Sequence, residues 1–345
     1  MTTMLQLEAG LNEDGSIDVT IYEPKQPSFA VEGMFLLKEA NVVYGTGSAA
    51  KSTLIADMCV NAVLGLPWLG RKTVQGGVLY LDWESSADTV TWRIRRIAKT
   101  KGQQMPRGRF IYKRMRHPIL DIMEKDKSAV RDIEVLVGRY QPRYLIIDSL
   151  GFAMGGDTQK ESLVLQVFEV LSKIVEGNDV CLIFIDHTPH ADKEKEYGSE
   201  YKRNAVRSQW LLKEAKDFER TSDGEVETVY VALENKKNNF RVYNASIHIR
   251  VEFHDTYENV EDDGLNLPDG PIIIGMYDPI PTDVAFGANK EYQLLDAMPG
   301  KARELVGRTG IDAGYAKKLL RSLKSRGLAV NDEFHTWRRT AKVAA

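Results

Sequence analysis

The chain has only two cysteines in 345 residues, Cys59 and Cys181, and they lie far apart in apolar runs. That spacing offers neither a disulfide framework nor a metal cluster, and a reducing cytoplasm is the expected setting. No apolar run approaches the length needed to span a bilayer, so no membrane partner is expected. The first residues lack a basic stretch followed by an apolar core, so no signal peptide is expected. The formal charge of −3 excludes a polycation; any nucleic-acid contact must come from a local patch. No internal repeat or low-complexity tract is present. Hydrophobic content of 43% and charged content of 28% are ordinary for a globular chain that buries a core.

One further absence is a single glycine. The stretch Val42-Val43-Tyr44-Gly45-Thr46-Gly47-Ser48-Ala49-Ala50-Lys51-Ser52-Thr53 reads as a buried strand, a small-residue turn and a helix start. This is the layout of a phosphate-binding loop, G-x-x-x-x-G-K-[ST], with Ala50 where the final Gly belongs. Backbone N–H groups of residues 45–53 can cradle phosphates at the helix N-terminus. Lys51 reaches the outer phosphates and Ser52 ligates Mg²⁺. ATP with Mg²⁺ is therefore the expected ligand pair. The Cβ of Ala50 either crowds the phosphates or strains a turn that prefers Gly, so nucleotide binding is expected to be weakened rather than abolished.

Strong strands are predicted at Val78–Asp82, Tyr144–Asp148 and Val180–Ile185, separated by helical patterns at Ala87–Thr100, Ser128–Tyr140 and Glu161–Val175. This alternation indicates an α/β fold with a mostly parallel sheet. After about residue 205 shorter strands at Gln209–Leu212, Thr228–Leu233, Phe240–Tyr243 and Ile247–Phe253 read as antiparallel additions to the sheet edge. Three polar strand ends then join Lys51. Asp148 closes an apolar strand, where a carboxylate holds Mg²⁺. Glu84 follows the second strand, where a carboxylate can polarise an attacking water, with Asp82 as its competitor. His187 closes the fourth strand and can sense a γ-phosphate, with Asp186 as the alternative. Ligands bind outside the carboxyl ends of parallel strands, where all of these fall.

These residues resemble the RecA/DnaB-type ATPases, and more closely the RepA-like hexameric helicases of plasmids and phages. The resemblance is carried by the P-loop, Gly65-Leu66-Pro67-Trp68-Leu69-Gly70, and Gly77-Val78-Leu79-Tyr80-Leu81-Asp82-Trp83-Glu84. Tyr144–Leu150, Phe184–Pro189, the Gly198-Ser199 and Asn204-Ala205-Val206-Arg207-Ser208 segments and Leu233–Phe240 extend it over roughly residues 25–250. It implies a RecA-like domain over residues 1–280 that does ATP-driven work on DNA as a homo-oligomer, a hexamer, with active sites between subunits. Glu84 matches the catalytic glutamate, Asp148 the Mg²⁺ aspartate and His187 the sensor. Arg207 matches an arginine finger sent into a neighbour's site, with Arg203 its nearby competitor and Lys237 a second trans-acting cation. Lys160, Lys193 and Lys195 lie in loops that would touch single-stranded DNA at the ring centre.

Residues 281–289 read as a linker. Residues 290–345 hold twelve Lys/Arg against six Asp/Glu, a basic end on an acidic chain. Helices at Ala302–Thr309 and Asp312–Arg326, followed by a small hairpin, resemble a winged helix-turn-helix at the level of fold. Lys317, Lys318, Arg321, Arg338 and Arg339 would contact phosphates of duplex DNA. Two functions are compatible with these residues: a replicative helicase, or a nucleotide-regulated DNA-binding protein or recombination mediator that hydrolyses little ATP.

Overall fold

The computed structural model describes residues 12, 16–22, 28–47, 49–120, 129–155, 161–188, 204–215, 221–222, 226–239, 246–254, 269–277, 294–295, 297–325, 329–332 and 335–339. Ser48, Lys160, Lys193, Lys195, Arg203, Phe240–Tyr243 and the 281–289 segment lie outside the described residues. The chain divides into two compact units, residues 1–215 with 220–277, and residues 216–219 with 278–345.

The first unit opens with a short hairpin, β1 (Phe29–Val31) and β2 (Phe35–Leu36), then β3 (Ala40–Gly45) and α1 (Lys51–Leu64). There follow β4 (Val78–Asp82), α2 (Ala87–Lys99), β5 (Phe110–Arg114), α3 (Val130–Tyr140), β6 (Tyr144–Asp148) and α4 (Leu150–Ala153). Next come α5 (Glu161–Asn178), β7 (Cys181–His187), β8 (Ser208–Glu214), β9 (Thr221–Ser222), β10 (Val226–Asn238), β11 (Ser246–His254) and β12 (Ile272–Met276). Ten strands form one mixed sheet in the order β12-β11-β10-β8-β3-β7-β6-β4-β5, with β9 paired to β10. The pairs from β5 through to β8 are parallel; those of β8 with β10, β10 with β11 and β11 with β12 are antiparallel.

The central strands are buried on both faces, which is why they read as unbroken apolar runs rather than alternations. Successive side chains still go to opposite sides. Val43, Tyr80, Ile146 and Ile183 pack with α1 and α2, whereas Val42, Leu79, Ile147 and Phe184 pack with α3 and α5. Two expectations change here. The strand beginning near residue 208 pairs parallel with β3, so only the strands beyond it are antiparallel additions. The strand expected at Thr228–Leu233 is thirteen residues long, because β10 serves as the partner of both β8 and β11.

In the second unit β13 (Gly300–Lys301), α6 (Ala302–Thr309), α7 (Ala313–Ser325), β14 (Ala329–Asn331) and β15 (Thr336–Arg339) enclose a small core of their own. Its antiparallel sheet runs β13-β15-β14. Ala316, Leu319, Leu320 and Leu323 of α7 face that core, and Lys317, Lys318, Arg321 and Lys324 are exposed, as the 3.6-residue period requires.

Candidate functional site

Strand register brings the predicted polar ends to one edge of the sheet. Gly45 stands opposite His187, and Asp82 opposite Asp148, which in turn stands opposite Ile185. Between Gly45 and Lys51 the chain turns sharply into α1. Ala50 adopts φ 58° and ψ 27°, the left-handed conformation that favours glycine, and no side chain caps the first turn of α1. The departure at position 50 is therefore accommodated as backbone strain, and the uncapped N–H groups of the helix remain open to an anion. Gly45 has a different reason to be glycine. A Cβ there would lie 2.0 Å from the Leu212 carbonyl oxygen, so the close approach of β8 excludes any side chain.

Lys51 is buried, and its Nζ donates to the carbonyls of Gly45 (2.9 Å) and Thr46 (2.7 Å). Burial pulls its pKa down to about 8, against the attraction of Asp148, Asp186 and Glu84. Asp148 is also buried, and burial pushes its carboxyl above the ordinary range. The Tyr80 hydroxyl donates to its Oδ2 at 2.6 Å, and the Ser52 side chain bonds to the same carboxyl. A hydroxyl and a carboxylate joined in this way, both at the mouth of the loop, are hard oxygen donors that fit Mg²⁺.

Beyond β4 the chain turns around Asp82. Its Oδ1 accepts from the backbone N–H groups of Glu84 (2.6 Å) and Ser85 (2.8 Å), with Arg114 Nη1 at 3.4 Å. Asp82 thus shapes the turn that presents Glu84; it is fully buried and does not line the cleft. Glu84 Oε1 accepts from the Ser149 hydroxyl and from His187 Nε2, the latter at 3.2 Å. The bond from His187 is the main reason the Glu84 carboxyl lies below its ordinary pKa. Asp186, the alternative to His187, is buried away from the cleft wall.

Gly47, Ala50, Lys51, Ser52, Thr53, Glu84, Asp148 and His187 share one cleft of about 390 Å³, a size suited to a small ligand. Part of its wall has no motif in the sequence. Arg93 comes from α2, and Glu227, Val229 and Phe253 come from β10 and β11. Arg93 is one of four basic residues on α2, and only packing selects which of them meets the cleft. The antiparallel strands carry no motif that ties them to a P-loop.

Arg207 is not at this cleft. Its N–H donates to Ala40 O (2.9 Å) at the start of β3, the opposite end of that strand from Gly45, and its Nε lies 3.6 Å from Glu39 Oε2. Lys237 stands opposite Gln209 in the β10–β8 register, its Nζ 3.5 Å from Asn204 O, and Asn239 N–H donates to Arg207 O. Both cations thus lie at the ends of these strands opposite the cleft. In the second unit Lys317, Lys318 and Arg321 are exposed on α7, whereas Arg338 Nε lies 3.3 Å from Asp332 Oδ2. The Arg339 side chain lies outside the described residues. No helix among the described residues is long and apolar enough to cross a membrane.

The sequence profile of the AAA domain family matches residues 13–193, slightly more than half of the chain. No curated protein matches the sequence. A KaiC-like protein from the hyperthermophilic archaeon Pyrococcus horikoshii OT3 is similar in structure, with a TM-score of 0.47 and 13% identity over 74% of this chain and 100% of that one.

Proposed function

The chain belongs to the AAA domain family of P-loop ATPases, and from that premise we propose that it is a Mg-ATP-dependent oligomeric DNA motor, a phage or plasmid replicative helicase. The convergence of Lys51, Ser52, Asp148, Glu84 and His187 on one cleft carries this reading. The phosphates of ATP lie against the N-terminus of α1, and Lys51 exchanges the Gly45 and Thr46 carbonyls for an outer phosphate. Ser52 and Asp148 hold Mg²⁺, which neutralises charge on the phosphates when bound. Glu84 takes a proton from the attacking water. The water oxygen bonds the γ-phosphorus while the bond to the β–γ bridging oxygen breaks, ADP leaves with that oxygen, and the proton on Glu84 returns to solvent. His187 links Glu84 to the segment after β7 and reports the γ-phosphate to it.

Arg207 and Lys237 of a neighbouring copy complete the site in this reading. Their place at the strand ends away from their own cleft supports a trans role for both. The exposed cations of α7 supply contacts to duplex DNA, and single-stranded DNA passes the oligomer centre. Purified protein is expected to hydrolyse ATP faster with single-stranded DNA and to displace a strand from a forked duplex. Mixing Arg207→Ala with Glu84→Gln subunits is expected to recover part of the activity, because some interfaces then hold both intact partners. No recovery between variants that assemble would sink the trans role.

A second reading is favoured by the left-handed Ala50 and by Lys51 being turned onto its own loop. Both oppose tight nucleotide binding and fit a nucleotide-regulated DNA-binding protein or recombination mediator. Absence of hydrolysis with any nucleic acid, with hydrolysis restored by Ala50→Gly, would select this reading over the motor.

A further inference from the structure

Ser149 follows the strand that ends in Asp148 and occupies the N-cap position of α4. A serine there ordinarily accepts a hydrogen bond from the first turn of its own helix. Ser149 makes no such bond. It is fully buried, and its hydroxyl donates instead to Glu84 Oε1, on a turn 65 positions earlier in the chain. His187 Nε2 reaches the same oxygen from β7. Glu84 Oε2 has no hydrogen-bond partner among the described residues. The carboxylate is thus held by one oxygen, from the residue after β6 and from the end of β7, and no described residue bonds the other.

We propose that Ser149 is a positioning residue for Glu84: with His187 it fixes Oε1, so that Oε2 is the atom offered to the water. This deepens the hydrolytic reading of the cleft and rests on it. Two anchors from different segments of the chain remove the rotation that one hydrogen bond leaves to a glutamate side chain, and a reacting water rewards that placement. Both anchors also bond the ionised form, and they hold the Glu84 carboxyl below its ordinary pKa. Among the described residues, the charged or titratable groups around Glu84 are His187, Lys51, Asp148, Asp82, Arg93 and Glu227. Lys51 favours its ionised form as His187 does, and Asp148 and Asp82 oppose it.

The test compares wild type, Ser149→Ala and the near-isosteric Ser149→Cys, with thermal unfolding as the check on folding. Ser149→Ala is expected to lower kcat about tenfold or more while KM for ATP stays within about twofold, and Ser149→Cys to fall between. Independently of turnover, the ¹³Cδ titration of Glu84 without nucleotide, assigned with Glu84→Gln, is expected to move up towards the ordinary glutamate range in Ser149→Ala. An unchanged kcat and titration would overturn the proposal, as would equal losses in kcat and stability with KM rising in step. If Ser149→Ala does not fold, the Ser149→Cys titration decides, and no upward shift there overturns it. A wild-type chain that hydrolyses no ATP would defeat the functional reading alone, since the titration would still decide the role of Ser149.

Discussion

At the residue scale Ala50 is the point of tension. It sits in the left-handed region at the entry to α1, where an L side chain costs about 1–2 kcal/mol relative to glycine. Ala50→Gly removes that cost but frees the unfolded chain, which returns about 0.4–1 kcal/mol. The net expectation is a gain of up to about 1.5 kcal/mol in unfolding free energy, readable from urea melts, with tighter ATP binding by titration calorimetry. A loss of stability would mean that residue 50 does not hold this conformation in solution. The strand-turn-helix pattern was legible in the sequence because it is local. The choice between crowding and strain was not, because it depends on a backbone angle set by the packing of α1 under β3.

At the scale of elements, α1 and α2 are joined through a buried charge. Asp57 of α1 accepts from Lys101 Nζ (2.6 Å), just beyond α2, and from Trp68 Nε1 (3.1 Å). Trp68 belongs to the Gly-x-Pro-Trp-Leu-Gly stretch, whose place in the fold is thereby explained: its indole satisfies a carboxylate behind the P-loop helix. Burial raises the Asp57 pKa, and Lys101 opposes that rise. Lys101→Met is expected to cost about 3 kcal/mol, since it leaves the carboxylate buried without its cation. The sign with pH follows from the raised folded-state pKa. In the variant Asp57 holds its proton more tightly when folded than when unfolded, so the cost grows as pH rises above the unfolded value of about 4. Combining it with Asp57→Asn is expected to recover most of the loss. Equal destabilisation at pH 4 and pH 7 would count against this origin.

At the scale of the whole molecule the charge is unevenly shared. A chain of net charge −3 carries twelve Lys/Arg against six Asp/Glu in residues 290–345, and α7 exposes Lys317, Lys318 and Arg321. If these three contact phosphates, replacing all of them with alanine lowers the slope of log K against log salt by about 0.9 per contact, roughly 2.7 in all. Fluorescence anisotropy on duplex DNA from 50 to 300 mM salt measures it. A slope unchanged by the triple substitution would remove α7 from the DNA-binding surface.

The sequence by itself determined the alternation of strands and helices, the P-loop, and the polar residues that end the buried strands, because each is written in a short run of neighbouring residues. Apolar runs of strand length, a small-residue turn before Lys51, and an acid after Ile147 need no distant partner to be recognised. Only the tertiary structure decided which of those residues meet. Register between strands far apart in the chain put Ser149 and His187 on one oxygen of Glu84, withdrew Asp82 and Asp186 from the cleft, and brought Arg93 into it. The same register put Arg207 next to Ala40, at the end of β3 away from the cleft. Hydrogen bonds between parallel neighbours set those positions, and they join residues that the sequence holds dozens of positions apart.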